Sequence, residues 1–418
     1  MRMILALLFA NAAAASAHAA DQAVPLRRAA EYLWSQQGDD GGWHSSQYGL
    51  LRSGQALTPF VLQALLQVPE SVCPRPKGGI GRALAFILEH SDDDGFLGRG
   101  DPDVSEYPVY STSYSLQCLV APLEFDEESR WLVQRAYVRK KFRGGPGRGG
   151  ALIGLERYVV QIRSLAGAQF AEANGFDPRH PAYGGWGFDK PRAAGQPAHM
   201  DLAHTRQALE ALAAARKWNR FQDAMYDHAA VEKRAQDFLR VVQKHPAAKA
   251  QPKRGDGPPL SGAPPYDGGF YFSPVVLEAN KGREERQGDA AYFRSYATAT
   301  CDGLLALVAC GVPRNDERVT KAADWLRAHE DFDYPEGVPR DHPEPWGEAI
   351  RFYHYAARAE AYAALDWPGE WREKLAAAVA KRQAPDGSFR NEVSPLMKED
   401  DPLLCTGLAV VALAHCQK

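Results

Sequence analysis

Cysteine is scarce in this chain, with six residues in 418, and no two of them form a C-x-x-C pair. That speaks against a cysteine-ligated zinc site. Charge of one sign is lacking too. Acids and bases balance to a net charge of −3, which argues against a general electrostatic partner such as nucleic acid. Past the N-terminus no apolar run approaches the ~20 residues of a membrane-spanning helix. P-loop, G-x-S-x-G, H-E-x-x-H and EF-hand patterns are all missing, and no cofactor is expected.

The six cysteines are Cys73, Cys118, Cys301, Cys310, Cys405 and Cys416. If Cys301 and Cys310 share a helix, they stand roughly 13 Å apart along its axis, too far for a disulfide. Cys405 and Cys416 fail for the same reason, and buried free thiols are the expectation. The N-terminus has its own grammar. Arg2 precedes an apolar run from Met3 to Ala10, and Ala17-His18-Ala19 is an A-x-A cleavage signal. Residues 1–19 therefore read as a secretory signal peptide, and the protein is expected to be exported, periplasmic or extracellular. The basic run Arg139-Lys140-Lys141-Phe142-Arg143, followed by glycines, reads as a solvated loop.

What the chain does have is repetition. A Gly-rich turn ending in an aromatic appears at Gln37 to Trp43 and recurs at Asp94-Gly95-Phe96, Gly184 to Phe188, Asp267 to Phe270 and Gln383 to Phe389. A degenerate copy runs from Phe332 to Gly337. Before the turns the apolar residues often fall at i, i+3, i+4, as in Ala30, Leu33 and Trp34. After each turn comes Thr, six residues, then Leu: Thr58, Thr112, Thr205, Thr300 and Thr406 open five copies, and Arg358 opens the fifth of six. The unit is thus a helical hairpin. A single hairpin cannot bury its apolar face, but six in series can close into a ring with the Thr-to-Leu helices inside. The expected fold is all-α, an α6/α6 toroid, forming one domain over residues 20–418.

Gln37 to Trp43 and Gln383 to Phe389 resemble the QW motif of squalene–hopene and oxidosqualene cyclases, and the hairpin plan is similar to protein prenyltransferase β-subunits. The resemblance covers nearly all of the mature chain. It implies a toroid whose inner-helix N-termini open onto a central cavity. Cyclases of this kind carry a catalytic acid two positions before the repeat Thr. Here those positions hold Ala56, Tyr110, Ala203, Thr298, Ala356 and Leu404. Of the prenyltransferase zinc ligands, only His204 before Thr205 has a counterpart. Neither squalene cyclisation nor zinc-dependent prenyl transfer is expected, and no metal site. The G-C-G-E-Q motif of toroidal thioester domains is absent as well.

The lumen can be read from helical geometry. Positions −2, +2 and +5 from each Thr share a stripe opposite the packing face. Position +2 reads Phe60, Tyr114, Gln207, Asp302, Glu360, Leu408, and +5 reads Gln63, Gln117, Glu210, Leu305, Ala363, Val411. One side of the lumen should be polar and the other aromatic. Asp302 and Glu360, on consecutive inner helices, are the candidate catalytic pair, since neighbouring carboxyls in a low-dielectric pocket suit acid–base work. Tyr110, Tyr114, His204, Gln207, Glu210, Thr298 and His354 are candidate ligand contacts. The segments 245–265 and 278–288 read as loop-like surface insertions on the approach to the fourth inner helix, either plainly exposed, which is favoured, or covering the cavity mouth.

Two functions follow. One is a binding module that holds an apolar or carbohydrate small ligand in the lumen, or a protein partner at the rim. The other is a cavity enzyme: a carboxylate-based hydrolase or lyase, or an isoprenoid-type transferase or cyclase. An Asp302–Glu360 pair across an open pocket favours the enzyme. Burial of either against Arg or Lys favours a structural role.

Overall fold

The computed structural model describes residues 23–120, 150–191, 194–196, 199–218, 226–249, 252, 266–287 and 290–417. The signal-peptide reading, the basic run at 139–143 and most of the 245–265 insertion lie outside these residues.

Among the described residues twelve principal helices alternate in two classes. The first class comprises α1 (residues 23–35), α3 (Gly79–His90), α5 (Gly150–Gly167), α7 (His228–Val242), α9 (Glu317–Ala328) and α11 (Trp371–Ala380). The second comprises α2 (Leu57–Leu66), α4 (Pro108–Val120), α6 (Leu202–Trp218), α8 (Ala297–Ala309), α10 (Arg351–Ala364) and α12 (Pro402–Cys416). Burial separates them. The helix α9 buries one face, through Val319, Ala322, Ala323, Trp325 and Leu326, and leaves the other wet. The helix α8 is buried without a break from Ala297 to Leu307. A helix apolar on one stripe lies outside, and one buried all round lies within. Each inner helix packs on the next, α2–α4–α6–α8–α10–α12, and α12 packs back on α2. The ring is closed, and the chain is an α6/α6 toroid.

The two sequence signatures are the two halves of one joint. In five repeats the Thr at the inner-helix start accepts a hydrogen bond from the backbone N–H in the turn: Trp43 on Thr58, Leu97 on Thr112, Trp186 on Thr205, Phe270 on Thr300 and Phe389 on Thr406, at 2.9–3.1 Å. The Thr205 and Thr300 hydroxyls in turn donate to the carbonyls four residues earlier. In the fifth repeat Arg358 replaces the Thr and instead donates to the carbonyl of His329 and to the Tyr362 hydroxyl. Replacing Thr205 with Val strands a buried N–H with no change of shape. The expected cost is about 1–3 kcal/mol, read from chemical denaturation. A cost near zero would mean the joint carries no stability.

In four repeats a Gln before the turn also ties that repeat to the next. Gln37 donates to the Gly41 carbonyl of its own turn and to Gly79 at the start of α3. Gln169 does the same to Gly184 and Val231, Gln243 to Gly268 and Arg318, and Gln383 to Gly387 and Pro25. At Gly184 (φ +88°) a Cβ would lie 1.9 Å from the Arg234 carbonyl, so only glycine lets the turn meet the neighbouring helix. Among the described residues strand is confined to two short antiparallel pairings. Trp186–Gly187 pairs with Met200–Asp201, and Glu284–Gln287 pairs with Ala290–Phe293. The second pairing corrects the expectation of a plain loop at 278–288. All six cysteines are buried and free.

Candidate functional site

The inner helices open at their N-terminal ends onto a cavity of about 210 Å³. Of the −2 positions, Ala56, Tyr110, Ala203, Thr298 and Leu404 line it, as do Phe60, Tyr114, Asp302 and Leu408 from the +2 positions. The lumen stripe read from the sequence is therefore the one that faces inward. The fifth repeat departs from it: Ala356 does not line the cavity and Tyr353 does. Helix α10 starts seven residues before Arg358, whereas the other inner helices start one to four residues before their Thr. The extra turn carries Tyr353 into the wall.

Depth explains the remaining positions. None of the +5 residues touches the cavity, because they lie one turn further along the helices. Below the cavity the lumen is filled by a polar plug. Gln67 donates to Gln63, Gln63 to Gln117 and Gln117 to Gln207, at 3.0–3.5 Å. At the centre of the plug stands Arg206, buried to 1% exposure. Its Nε donates to Glu210 (3.0 Å), Nη1 to Asp302 (3.0 Å) and Nη2 to Glu360 (2.5 Å). The two candidate catalytic carboxylates thus share one guanidinium instead of facing each other across open space. Asp302 alone of the two reaches the cavity, where the Tyr353 hydroxyl lies 2.9 Å from both its oxygens. Burial pushes Asp302 up to about 6 against the pull of Arg206. Burial also raises Glu210.

The candidate histidines sit elsewhere. His354 is turned outward, with Nε2 2.8 Å from the Asp331 carbonyl, and burial pushes it down to about 3. It is a neutral strut between α10 and its turn and does not line the cavity. His204 lies behind the wall, its ring 4.1 Å from that of Tyr110. Asp201 accepts from its backbone N–H and pairs with its Nδ1, at 2.9 and 2.8 Å, and pairs with His199 as well. Burial would raise Asp201, but the two imidazoles more than offset it and hold it well below the usual carboxylate range. Among the described residues no group of three or more His, Cys, Asp and Glu gathers as a metal shell would.

Several wall residues were not singled out from the sequence: Phe272, Lys281, Tyr296, Met397, Lys398 and Glu399. Lys281 belongs to the insertion at 278–288, so that segment does reach the cavity. Glu399 is buried and accepts from the Phe352 and Tyr353 N–H groups at 2.9 and 2.8 Å, capping α10 from the following repeat. Burial pushes Glu399 up to about 7 from 4.5. A carboxyl raised on folding contributes stability that is full below about pH 4.5 and lost as pH rises through 7. The stability of the wild type relative to Glu399→Gln should therefore fall by about 3 kcal/mol between pH ~5 and pH ~8. A difference that stays flat across that range would contradict the burial argument.

Comparison with known proteins adds fold-level likeness only. No family model matches the chain, and no curated protein matches it. Solved structures similar to it include the type II terpene cyclase MstE from Scytonema without ligand, at 15% identity over 95% of this chain and 98% of that one, with a TM-score of 0.45. A variant of that enzyme in complex with merosterolic acid A, its product, gives 15% identity over 96% and 99%, TM-score 0.45. A protein from Actinoplanes gives 16% identity over 95% and 99%, TM-score 0.43. At these levels the toroid rests on the chain's own helix contacts.

Proposed function

We propose that this toroid is a binding protein that holds an apolar small molecule in its lumen, at the N-terminal ends of the inner helices. One observation carries the reading. The cavity wall is built mainly from aliphatic and aromatic side chains, while the lumen carboxylates are drawn into the ion pairs of Arg206. Such a pocket gains from excluding water from an apolar ligand. It offers few groups to replace the hydration of a carbohydrate. Thermal unfolding with long-chain alcohols and, separately, with oligosaccharides tests this. The alcohols should raise the midpoint and the sugars should leave it unchanged; the reverse pattern would overturn the proposal. In line with its N-terminal sequence, the protein would act after export, and sequencing the exported product should find its start near Ala20.

A second reading, a cavity enzyme, is favoured by Asp302, which borders the cavity with a raised affinity for its proton and a Tyr353 hydroxyl beside it. If Asp302 acts as an acid, Asp302→Asn should abolish turnover of whatever apolar substrate is found while leaving ligand affinity within about threefold, since its loss removes an interaction of the transition state alone. Unchanged turnover would remove this reading.

A further inference from the structure

Two ammonium groups stand in the wall, Lys281 and Lys398, and among the described residues neither forms an ion pair with a carboxylate; the buried one is Lys281. It is 7% exposed. Among the described residues its Nζ donates to the Ala279 carbonyl alone, at 3.3 Å, and it lies over the rings of Phe272 and Trp346 at 4.6 and 5.1 Å. Asp201 and Asp302 act on it through space but form no ion pair with it, being held by the histidines and by Arg206. A buried cation left in this state is costly, and the cost falls when an anion enters beside it.

A second, independent feature points the same way. The first turn of α8 opens on the cavity through Thr298. The N-cap of α8, Tyr296, is extended and offers no side-chain cap. The inner helices α6 and α12, by contrast, have their first N–H groups taken by Asp201 and Asp401. In α8 the Ala297 N–H donates to the Glu336 carbonyl, but no side chain caps the end, so the rest of its first turn presents a positive dipole end towards the cavity. The Lys281 backbone bonds the Tyr296 side chain, so the ammonium and the uncapped helix end belong to one corner of the cavity.

We infer that the ligand is an amphiphile with an apolar body and a single carboxylate head, and that the head sits on Lys281 beside the start of α8. This rests on the lumen being the binding site. The aromatic and aliphatic wall takes the body, and the Lys281 corner sets the orientation and selects the charged head over a neutral one of the same length.

Laurate and dodecanol share a chain and differ in the head, so their dissociation constants for the wild type, Lys281→Met and Lys281→Arg separate the two claims. Titration calorimetry at neutral pH should find laurate bound at least about tenfold more tightly than dodecanol by the wild type. In Lys281→Met the preference should vanish while dodecanol affinity stays, and Lys281→Arg should retain it. The unliganded Lys281→Met protein should melt higher than the wild type, because it no longer buries an unpaired cation. Binding of both probes without preference, or a preference that survives in Lys281→Met, would overturn the carboxylate inference and leave the apolar cavity standing. Binding of neither probe by the wild type would overturn both.

Discussion

Removing α12 by deleting residues 401–418 should abolish cooperative folding of the whole chain. The helix buries Leu403, Leu408, Val410, Val411 and Leu413, each contributing about 1.5–3 kcal/mol. Together that approaches the 5–15 kcal/mol that an entire fold typically holds in reserve. The loss is larger still because the helix closes the ring. Gly407 lies against Phe60 so closely that a Cβ would come within 2.5 Å of the ring, and Ser45 and Tyr48 donate to Asp401 and Asp400. Beside it, Gln383 and Arg28 bind the last turn to the first helix. Without α12, α2 and α10 expose facing apolar surfaces that no other element can cover. Near-ultraviolet circular dichroism and chemical denaturation should find no cooperative transition. A truncated protein with an unchanged midpoint would mean that the ring is not a cooperative unit.

Replacing Arg206 with Met should cost about 3–5 kcal/mol at neutral pH, the usual penalty for leaving buried charge without its counter-ion. Three carboxylates depend on this guanidinium, so the loss has a characteristic pH dependence. Freed of Arg206, burial acts on Glu210 and Asp302 without that counter-charge, and their folded-state affinity for protons rises further. Groups raised on folding stabilise at low pH and lose that contribution as pH climbs through the folded value. The variant should therefore approach wild-type stability near pH ~5 and fall away towards pH ~8. Adding Asp302→Asn and Glu360→Gln to Arg206→Met should recover much of the loss at neutral pH, since the three sites are coupled. A cost below about 1 kcal/mol with no pH dependence would mean that water, and not Arg206, satisfies the carboxylates.

The ring was legible because its joints repeat in the sequence. Thr58, Thr112, Thr205, Thr300 and Thr406 recur at the same place since each accepts the same turn N–H, and the leucine seven residues on falls two turns along the same face. Two copies of the Gln signature escaped notice for a physical reason. Gln169 and Gln243 are each separated from their glycine turn by an insertion, so the local motif is broken while the hydrogen bonds in space survive. The lumen stripe was legible from helical phase, but its depth was not. Phase cannot distinguish Phe60, in the cavity wall, from Glu210, in the plug. Arg206 was missed because it stands at +1, beside the stripe, and enters the lumen only by the length of its side chain; its spacing of four from Glu210 was the available signal. Lys281 carried no periodic signal at all, since it reaches the cavity from an insertion between helices.

The central claim is that the lumen at the inner-helix N-termini is a ligand site. It is tested most directly by filling that space. Leu404, half-buried in the first turn of α12, borders the cavity, and Leu404→Trp would place an indole where the ligand body is expected. Titrated with dodecanol and followed by calorimetry, the wild type should bind saturably and Leu404→Trp should lose at least about tenfold in affinity, while both unfold cooperatively. Equal binding by the two proteins, or no saturable binding by the wild type, would contradict the account.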